Sequence, residues 1–122
     1  GKKYAIKLAK KLDYIGTMCV EYFIDKNNEL FVNEIAPRVH NSGHLTINAY
    51  NISQFESHVR SVCNLEAIEP VMKSAAIMQN IIGEDIFEYK NKEYKSNEFF
   101  FDYLKKEAKP KRKMGHLTTL KA

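Results

Sequence analysis

Two glutamates of the sequence, Glu21 and Glu34, are spaced so that they could hold one divalent cation between them. Residues 17–24 and 30–36 are rich in β-branched and aromatic side chains, which is typical of strands. The polar run 25–29 between them contains two asparagines, a residue type that tolerates positive φ, and it predicts a hairpin turn. The two glutamates would then lie on neighbouring antiparallel strands.

The register of this hairpin decides whether the carboxylates meet. If the turn centres on Asn27-Asn28, facing residue numbers have a constant sum, which places Ile24 opposite Phe31 and Glu21 opposite Glu34. Two opposed carboxylates in a largely buried sheet repel each other. A divalent cation would relieve that repulsion, and an all-oxygen site suits Mg²⁺. A slip of one residue would instead place the glutamates on opposite faces, and each could also pair with a lysine.

The loop that follows the second strand concentrates polar side chains. From Pro37 to Thr46 it contains Arg38, His40, Asn41, Ser42, His44 and Thr46. A guanidinium offers a bidentate fork to carboxylate or bicarbonate, and an imidazole can accept or relay a proton near neutral pH. The loop therefore favours a small-anion site. The alternatives are a solvated surface loop and a zinc pair at His40 and His44, although Gly43 argues against the helix that such a pair needs.

A third candidate region is a basic segment near the end of the chain. The formal net charge is +4, and residues 105–113 set six basic side chains against the single Glu107: Lys105, Lys106, Lys109, Lys111, Arg112 and Lys113. Such a local excess indicates an anionic partner, either a phosphate group or a nucleic acid. A solubilising surface loop is the simpler interpretation.

Helices must position these regions. Apolar residues at spacings of three and four predict a helix over residues 2–15 that stops at Gly16. Ser53, with Glu56 three residues later, is a capping pattern that predicts a second helix. Its expected buried stripe consists of Phe55, Val59 and Val62.

The remainder of the chain is predicted to be mostly β. Strands are predicted at 74–82, 99–104 and 114–120, and no clear pattern is found from 84 to 97. A change in character near Glu69-Pro70 divides the chain into 1–69 and 70–122. The fold class is therefore predicted to be α+β.

Composition excludes several protein classes. Hydrophobic residues make up 44% of the 122, which favours a folded domain over disorder, and no apolar run approaches the roughly 20 residues of a membrane helix. No signal peptide pattern is found. The two cysteines, Cys19 and Cys63, are expected to be small core side chains of a protein in the reducing cytoplasm.

Three segments resemble one enzyme family. The run Val32–His44 (VNEIAPRVHNSGH) resembles the signature of the 5-(carboxyamino)imidazole ribonucleotide synthases, the ATPase subunit of phosphoribosylaminoimidazole carboxylase. Ser53–Glu56 stands where the family begins its next helix, and Lys106–His116 resembles its C-terminal basic loop. The resemblance implies an ATP-grasp fold, with the second half of the ATP-grasp domain at 1–69 and a small β-rich C-terminal domain at 70–122.

The resemblance also implies a reaction. ATP phosphorylates bicarbonate to carboxyphosphate, the carboxyl group passes to the amine of aminoimidazole ribonucleotide, and ADP and phosphate leave. By position, the expected metal ligands for Mg²⁺ are Glu21 and Glu34, the nucleotide-binding residues Asn33 and Glu34, the catalytic residues Arg38, His40 and Asn41, and the ribonucleotide phosphate ligands Lys106, Arg112 and Lys113. Either Lys105 or Lys106 could be the family lysine.

The family further implies partners. We expect a cytoplasmic homodimer without a nucleic-acid or membrane partner, in which the N-terminal lobes of the same enzyme complete the ATP site. Because no glycine-rich loop is found in this sequence, we expect this stretch alone not to turn over. The rivals are another ATP-grasp ligase, such as a biotin carboxylase or glycinamide ribonucleotide synthetase, and a basic nucleic-acid binding module.

Overall fold

The computed structural model describes residues 1–121, which form two compact units. Unit 1 comprises Gly1–His44 and Ile52–Pro70, and unit 2 comprises Leu45–Asn51 and the described residues from Val71 onward. The elements are α1 (Lys2–Lys11), β1 (Cys19–Ile24), β2 (Leu30–Ala36), a 3₁₀ turn (Asn41–Gly43), α2 (Thr46–Ala49), α3 (Gln54–Val62), β3 (Ala76–Ile82), α4 (Asp85–Lys90), β4 (Glu98–Asp102) and β5 (Lys113–Leu120). Helices with separate antiparallel sheets confirm the α+β class. The functional division at 69/70 stays a prediction.

Helix α1 is shorter than predicted. It ends at Lys11 because the chain enters the left-handed region at Asp13, where φ is 49°. The Tyr14 N–H then donates to the Ala9 carbonyl at 2.9 Å, which closes the helix before Gly16. None of the helices formed by residues 1–121 is both long and apolar enough to cross a membrane.

The turn of the β1–β2 hairpin is displaced by one residue from the predicted turn. Its loop has three residues, because the Asp25 N–H donates to the Glu29 carbonyl at 3.0 Å and Asn28 takes a left-handed φ of 62°. Ile24 therefore faces Leu30, and the predicted pair with Phe31 is wrong. The Asp25 carboxylate supports the turn by accepting from the backbone N–H groups of residues 27 and 29, both at 2.8 Å.

A β-bulge restores the predicted register farther along the hairpin. Tyr22 faces Val32, and Glu21 faces Glu34, so Asn33 is the extra residue of β2. The opposition of the two glutamates is thus confirmed, although the constant sum that predicted it is not. The turn and the bulge displace the register by one residue in opposite directions.

Helix α3 begins as predicted and buries a different side. The Ser53 hydroxyl caps it by accepting from the Glu56 N–H at 3.1 Å. The expected buried stripe is wrong, because Phe55, Val59 and Val62 are 39%, 56% and 72% exposed. The buried residue of the helix is Gln54. Apolar spacing marks one face of α3, and within residues 1–121 that face is largely exposed apart from the Phe55 ring, which lies 5.2 Å from the His44 ring.

Unit 2 contains the hydrophobic core of the described chain. Strand β5 lies between β3 and β4 in an antiparallel sheet, and Ile81, Ile86, Met114 and Leu117 pack together on it. Helix α4 was missed by the sequence analysis because six residues are too few for a helical period, although Ile86 anchors it. The expectation that both cysteines are buried is also wrong, since Cys63 is exposed and Cys19 is half-buried.

Candidate functional site

The bulge places three polar side chains on one side of the β1–β2 hairpin. Strict alternation along β2 would direct Asn33 and Glu34 to opposite faces. Because Asn33 is the bulged residue, its amide Nδ2 instead lies 3.5 Å from Glu21 Oε2, beside the Glu21–Glu34 pair. One amide donor therefore accompanies two carboxylates, which is a donor set suited to a metal-bound phosphate.

His40 joins this cluster from the loop after β2. Its Nε2 lies 3.6 Å from Glu21 Oε1, and the candidate ligand atoms of Glu21, Glu34 and His40 all lie within 4.8 Å of one another. Its ring is 15% exposed, whereas the Glu21 side chain is 40% exposed. A small cation could therefore reach the carboxylates from solvent while the imidazole closes one side.

Arg38 stands at the open edge of the cluster. A guanidinium nitrogen lies 4.0 Å from Glu34 Oε1, and the side chain is 60% exposed. Another of its nitrogens donates to the Val39 carbonyl at 2.9 Å. Because an exposed ion pair at this distance is weak, Arg38 could turn to an incoming anion at little cost.

Ser42 sets the orientation of the His40 ring. The Ser42 hydroxyl lies 2.9 Å from His40 Nδ1, and the Ser42 N–H donates to the same nitrogen at 3.3 Å. When the backbone N–H donates to Nδ1, the neutral imidazole carries its proton on Nε2, the atom that faces Glu21. When the hydroxyl accepts instead, Nδ1 carries the proton and Nε2 is a base.

Gln54 is the site residue that the sequence analysis did not identify. Its Oε1 accepts from the His40 N–H at 2.9 Å, and its Nε2 donates to the His40 carbonyl at 2.7 Å and lies 2.8 Å from His44 Nδ1. The sequence signal was slight, because a glutamine after a helix cap is usually solvated. The contact engages Nδ1 of His44, one of the two ring nitrogens that a zinc pair with His40 could use.

Asn41 opens the 3₁₀ turn between these two histidines. It is half-buried, and its carbonyl accepts from the His44 N–H at 3.1 Å. Its predicted contribution to catalysis stays a prediction.

Within unit 2, the structure distinguishes the two adjacent lysines of the basic segment. The Lys105 ammonium donates to the Lys113 carbonyl at 2.6 Å and lies 5.5 Å from the centre of the Tyr103 ring. Lys105 is half-buried and Lys106 is exposed. The side chains of Arg112 and Lys113 are on exposed residues, and an Arg112 nitrogen donates to the Glu107 carbonyl at 3.4 Å. The geometry therefore favours Lys105 over the predicted Lys106 as a held cation.

The turn that leads into Lys105 is held by Asp102. Burial raises the pKa of the Asp102 carboxyl, but hydrogen bonds from Lys90 (2.9 Å) and from the Leu104 N–H (2.8 Å) outweigh it, so the net pKa is lowered. Leu104 has a φ of 53° and its side chain is 82% exposed. The carboxylate therefore stabilises a left-handed residue immediately before the lysine.

Comparison with known proteins matches both ends of the chain. Residues 1–55 match the ATP-grasp domain, and residues 76–122 match the phosphoribosylaminoimidazole carboxylase C-terminal domain. The N5-carboxyaminoimidazole ribonucleotide synthase of Staphylococcus epidermidis is 40% identical over 121 residues, which are 98% of this chain and 32% of that protein. The enzyme of the same name from Brucella melitensis is 44% identical over 117 residues, 96% of this chain and 32% of its own length.

Solved structures give the same result. The N5-carboxyaminoimidazole synthetase of Staphylococcus aureus superimposes with a TM-score of 0.87 at 41% identity, over 98% of this chain and 33% of that one. The Aspergillus clavatus synthase in complex with ADP and 5-aminoimidazole ribonucleotide gives 0.81 at 33% identity, over 98% and 35%. Over 98% of its length, the chain is therefore similar to N5-carboxyaminoimidazole ribonucleotide synthases.

The matches show which part of these synthases the chain resembles. The chain spans about a third of the length of the curated relatives that it matches. The match to the carboxylase C-terminal domain at 76–122 distinguishes it from the other ATP-grasp ligases considered as rivals. The carboxylate pair lies in the segment matched to the ATP-grasp domain, and the basic segment lies in the segment matched to the carboxylase domain.

Proposed function

We propose that this chain is the C-terminal part of a ligase that uses ATP and bicarbonate to carboxylate aminoimidazole ribonucleotide, releasing ADP and phosphate. The observation that carries the proposal is the Glu21–Glu34 pair, opposed across the hairpin and joined by Asn33 and His40. The relatives that cover 98% of the chain are N5-carboxyaminoimidazole ribonucleotide synthases. The proposal places the reaction in purine biosynthesis.

Glu21 and Glu34 fit the requirements of a Mg²⁺ site. They face each other on neighbouring strands, and the Arg38 nitrogen at 4.0 Å from Glu34 is too exposed to balance their charge. A bound Mg²⁺ would supply charge neutralisation for the phosphates of ATP. The two carboxylates hold the cation, and Asn33 directs an amide N–H group toward the nucleotide phosphates.

Arg38 and His40 complete the site for carboxyl transfer. Arg38 lies at the exposed edge, where its guanidinium can bind bicarbonate or the carboxyl group. His40 accepts a proton from the acceptor amine at Nε2 in the tautomer whose Nδ1–H donates to Ser42 Oγ, and this tautomer gives up the bond from the Ser42 N–H to Nδ1. Because the Ser42 hydroxyl can donate or accept, it serves both tautomers of the ring. Asn41, which lies between His40 and Ser42 in the sequence, is proposed to bind the same reactants as Arg38 and His40.

The basic segment of unit 2 is proposed to bind the phosphate of the ribonucleotide. Lys105 is the best-positioned cation, because its ammonium is held by the Lys113 carbonyl at 2.6 Å; Arg112 and Lys113 are the further donors, and Lys106 is the alternative to Lys105. A phosphate group needs several such donors because each contributes only modestly in water.

The proposed whole enzyme is a cytoplasmic homodimer whose N-terminal lobes cover the hairpin. Phe23 and Phe31 face each other across the hairpin and are 62% and 52% exposed, and Ile24, on the opposite face, is 68% exposed; such exposed apolar side chains favour a packing partner. An isolated two-stranded hairpin is marginally stable, so the lobes that complete the ATP site would also stabilise it.

The proposal is tested on the full-length enzyme that contains this chain. We expect ADP release to require both bicarbonate and aminoimidazole ribonucleotide, with one carboxylated product formed per ADP. Glu34→Gln should raise the Mg²⁺ concentration needed for half-maximal activity by about tenfold or more, since it removes one of two anionic ligands. Gln79→Ala, an exposed glutamine of β3, is the control. ADP release that is indifferent to either co-substrate would refute the proposed reaction.

A further inference from the structure

Gln54 pairs with the backbone of His40 much as a neighbouring strand would. Its amide accepts from the His40 N–H at 2.9 Å and donates to the His40 carbonyl at 2.7 Å, so both polar groups of one loop residue are bound by one side chain. The paired backbone is extended, with φ −135° and ψ 153°. These are the hydrogen bonds that an antiparallel partner strand would provide. The His40 carbonyl also accepts from the Gly43 N–H within the loop, at 3.0 Å.

The position of the amide is itself well fixed. Gln54 is 9% exposed and is the first residue of α3, directly after the Ser53 cap. The Thr17 hydroxyl donates to the Gln54 carbonyl at 3.4 Å. A buried amide that begins a capped helix has little freedom to move, so it can hold the loop rather than follow it.

Gly43 gives an independent sign that the loop is shaped around this amide. A Cβ added at Gly43 would lie 2.4 Å from Gln54 Oε1 and 2.8 Å from its Cδ. The φ of Gly43 is outside the left-handed region, so its backbone conformation does not require glycine. The glycine is needed because the glutamine amide occupies the space of a side chain.

The held residue is the one whose ring meets the carboxylates. The His40 imidazole extends from the clamped backbone to within 3.6 Å of Glu21, and the same Gln54 nitrogen lies 2.8 Å from His44 Nδ1. Freeing the His40 backbone would let the ring rotate away from the reacting groups. A misplacement of about 1 Å in an active site can lower turnover about 100-fold.

We propose that Gln54 is a positioning residue: its amide, packed against Gly43, fixes His40 relative to the Glu21–Glu34 pair. This inference rests on the proposed function. The Gln54 amide binds the backbone of His40 and lies against the His44 ring, so its effect should fall on carboxyl transfer rather than on ATP binding. Its loss should uncouple ATP use from product formation.

The first experiment measures Gln54→Ala in the full-length enzyme. We expect carboxylated product per ADP to fall about 10- to 100-fold, while the KM for ATP changes less than about threefold. Gln54→Glu is the second variant, because it keeps the size and the acceptor for the His40 N–H but turns an oxygen toward the His40 carbonyl. It should uncouple the reaction similarly. Gln79→Ala on β3 should leave both quantities unchanged.

A double-mutant cycle separates positioning from general destabilisation. Gly43→Ala alone should uncouple the reaction about as strongly as Gln54→Ala, because the new methyl group displaces the amide. In the Gln54→Ala background, Gly43→Ala should lower carboxylated product per ADP by less than about a further threefold, because the atoms that the methyl group would clash with are gone. The proposal would be overturned if the effects of Gly43→Ala and Gln54→Ala multiplied in the double variant. It would also be overturned if a folded Gln54→Glu enzyme kept full coupling of ADP release to product formation. An unmutated enzyme that does not require bicarbonate would instead refute the proposed function.

Discussion

Replacing Lys105 by methionine tests which lysine binds the phosphate of the ribonucleotide. Methionine keeps an unbranched stem against Tyr103 and removes the ammonium that is held by the Lys113 carbonyl at 2.6 Å. A charge-assisted hydrogen bond contributes about 1.5–3 kcal/mol, which corresponds to a roughly 10- to 150-fold increase in the KM for aminoimidazole ribonucleotide. Lys106→Met should raise it at most about fivefold, because an exposed charge contributes about 0–1 kcal/mol.

The assay is steady-state kinetics of the full-length enzyme with each substrate varied in turn. Lys105→Met should leave the KM for ATP within about twofold, since only the ribonucleotide phosphate is lost as a partner. An equal rise in both constants would indicate that Lys105 only supports the turn. A larger effect of Lys106→Met would refute the reasoning from the Lys113 contact.

Three further predictions concern the site and the C-terminal sheet. His40→Asn should lower carboxylated product per ADP by about 100-fold, the scale of losing a general base, and an unchanged ratio would mean that His40 is not one. Gly115→Ala should destabilise unit 2 by about 1–3 kcal/mol in urea unfolding, because the added Cβ would lie 2.5 Å from the Phe101 carbonyl oxygen; an unchanged midpoint would contradict this close approach. Because the pKa of Asp102 is lower in the folded protein than its unfolded value of about 3.9, its stabilisation is complete above that pH and is lost as the pH falls through the folded pKa. Thermal unfolding measured from pH 6 to pH 3 should therefore decline less steeply in Asp102→Asn, and equal slopes would contradict this.

The hairpin shows how far its sequence could predict the site. Strand-forming residues on either side of an asparagine-rich turn were enough to predict both strands and the opposition of Glu21 and Glu34. The three-residue turn was not predictable, because it depends on Asn28 rather than Asn27 being the left-handed residue. The bulge at Asn33 was not predictable either, since no residue type there requires one.

Other differences arise from contacts between distant residues. Gln54 was not recognised because its role depends on the backbone of His40, fourteen positions away, and a polar residue after a cap carries no such signal. The stripe of Phe55, Val59 and Val62 was read correctly as one face, but periodicity cannot tell which chain segment covers it. The lysine assignment likewise needed coordinates, since the Lys113 carbonyl distinguishes Lys105 from its neighbour.

The two irregularities of the hairpin tolerate insertions and deletions differently. A residue gained or lost within Lys26–Asn28 leaves every strand pair intact provided that Asp25 still closes the loop on Glu29. A residue gained between Leu30 and Glu34 would, without a second bulge, place Glu34 opposite Val20 and leave Glu21 on the other side of the sheet. A residue lost there would keep Glu34 opposite Glu21 but remove the bulge that brings Asn33 beside the pair. Relatives of this chain should therefore vary freely in the length of the turn, while the five residues that carry the bulge from Leu30 to Glu34 keep a fixed count.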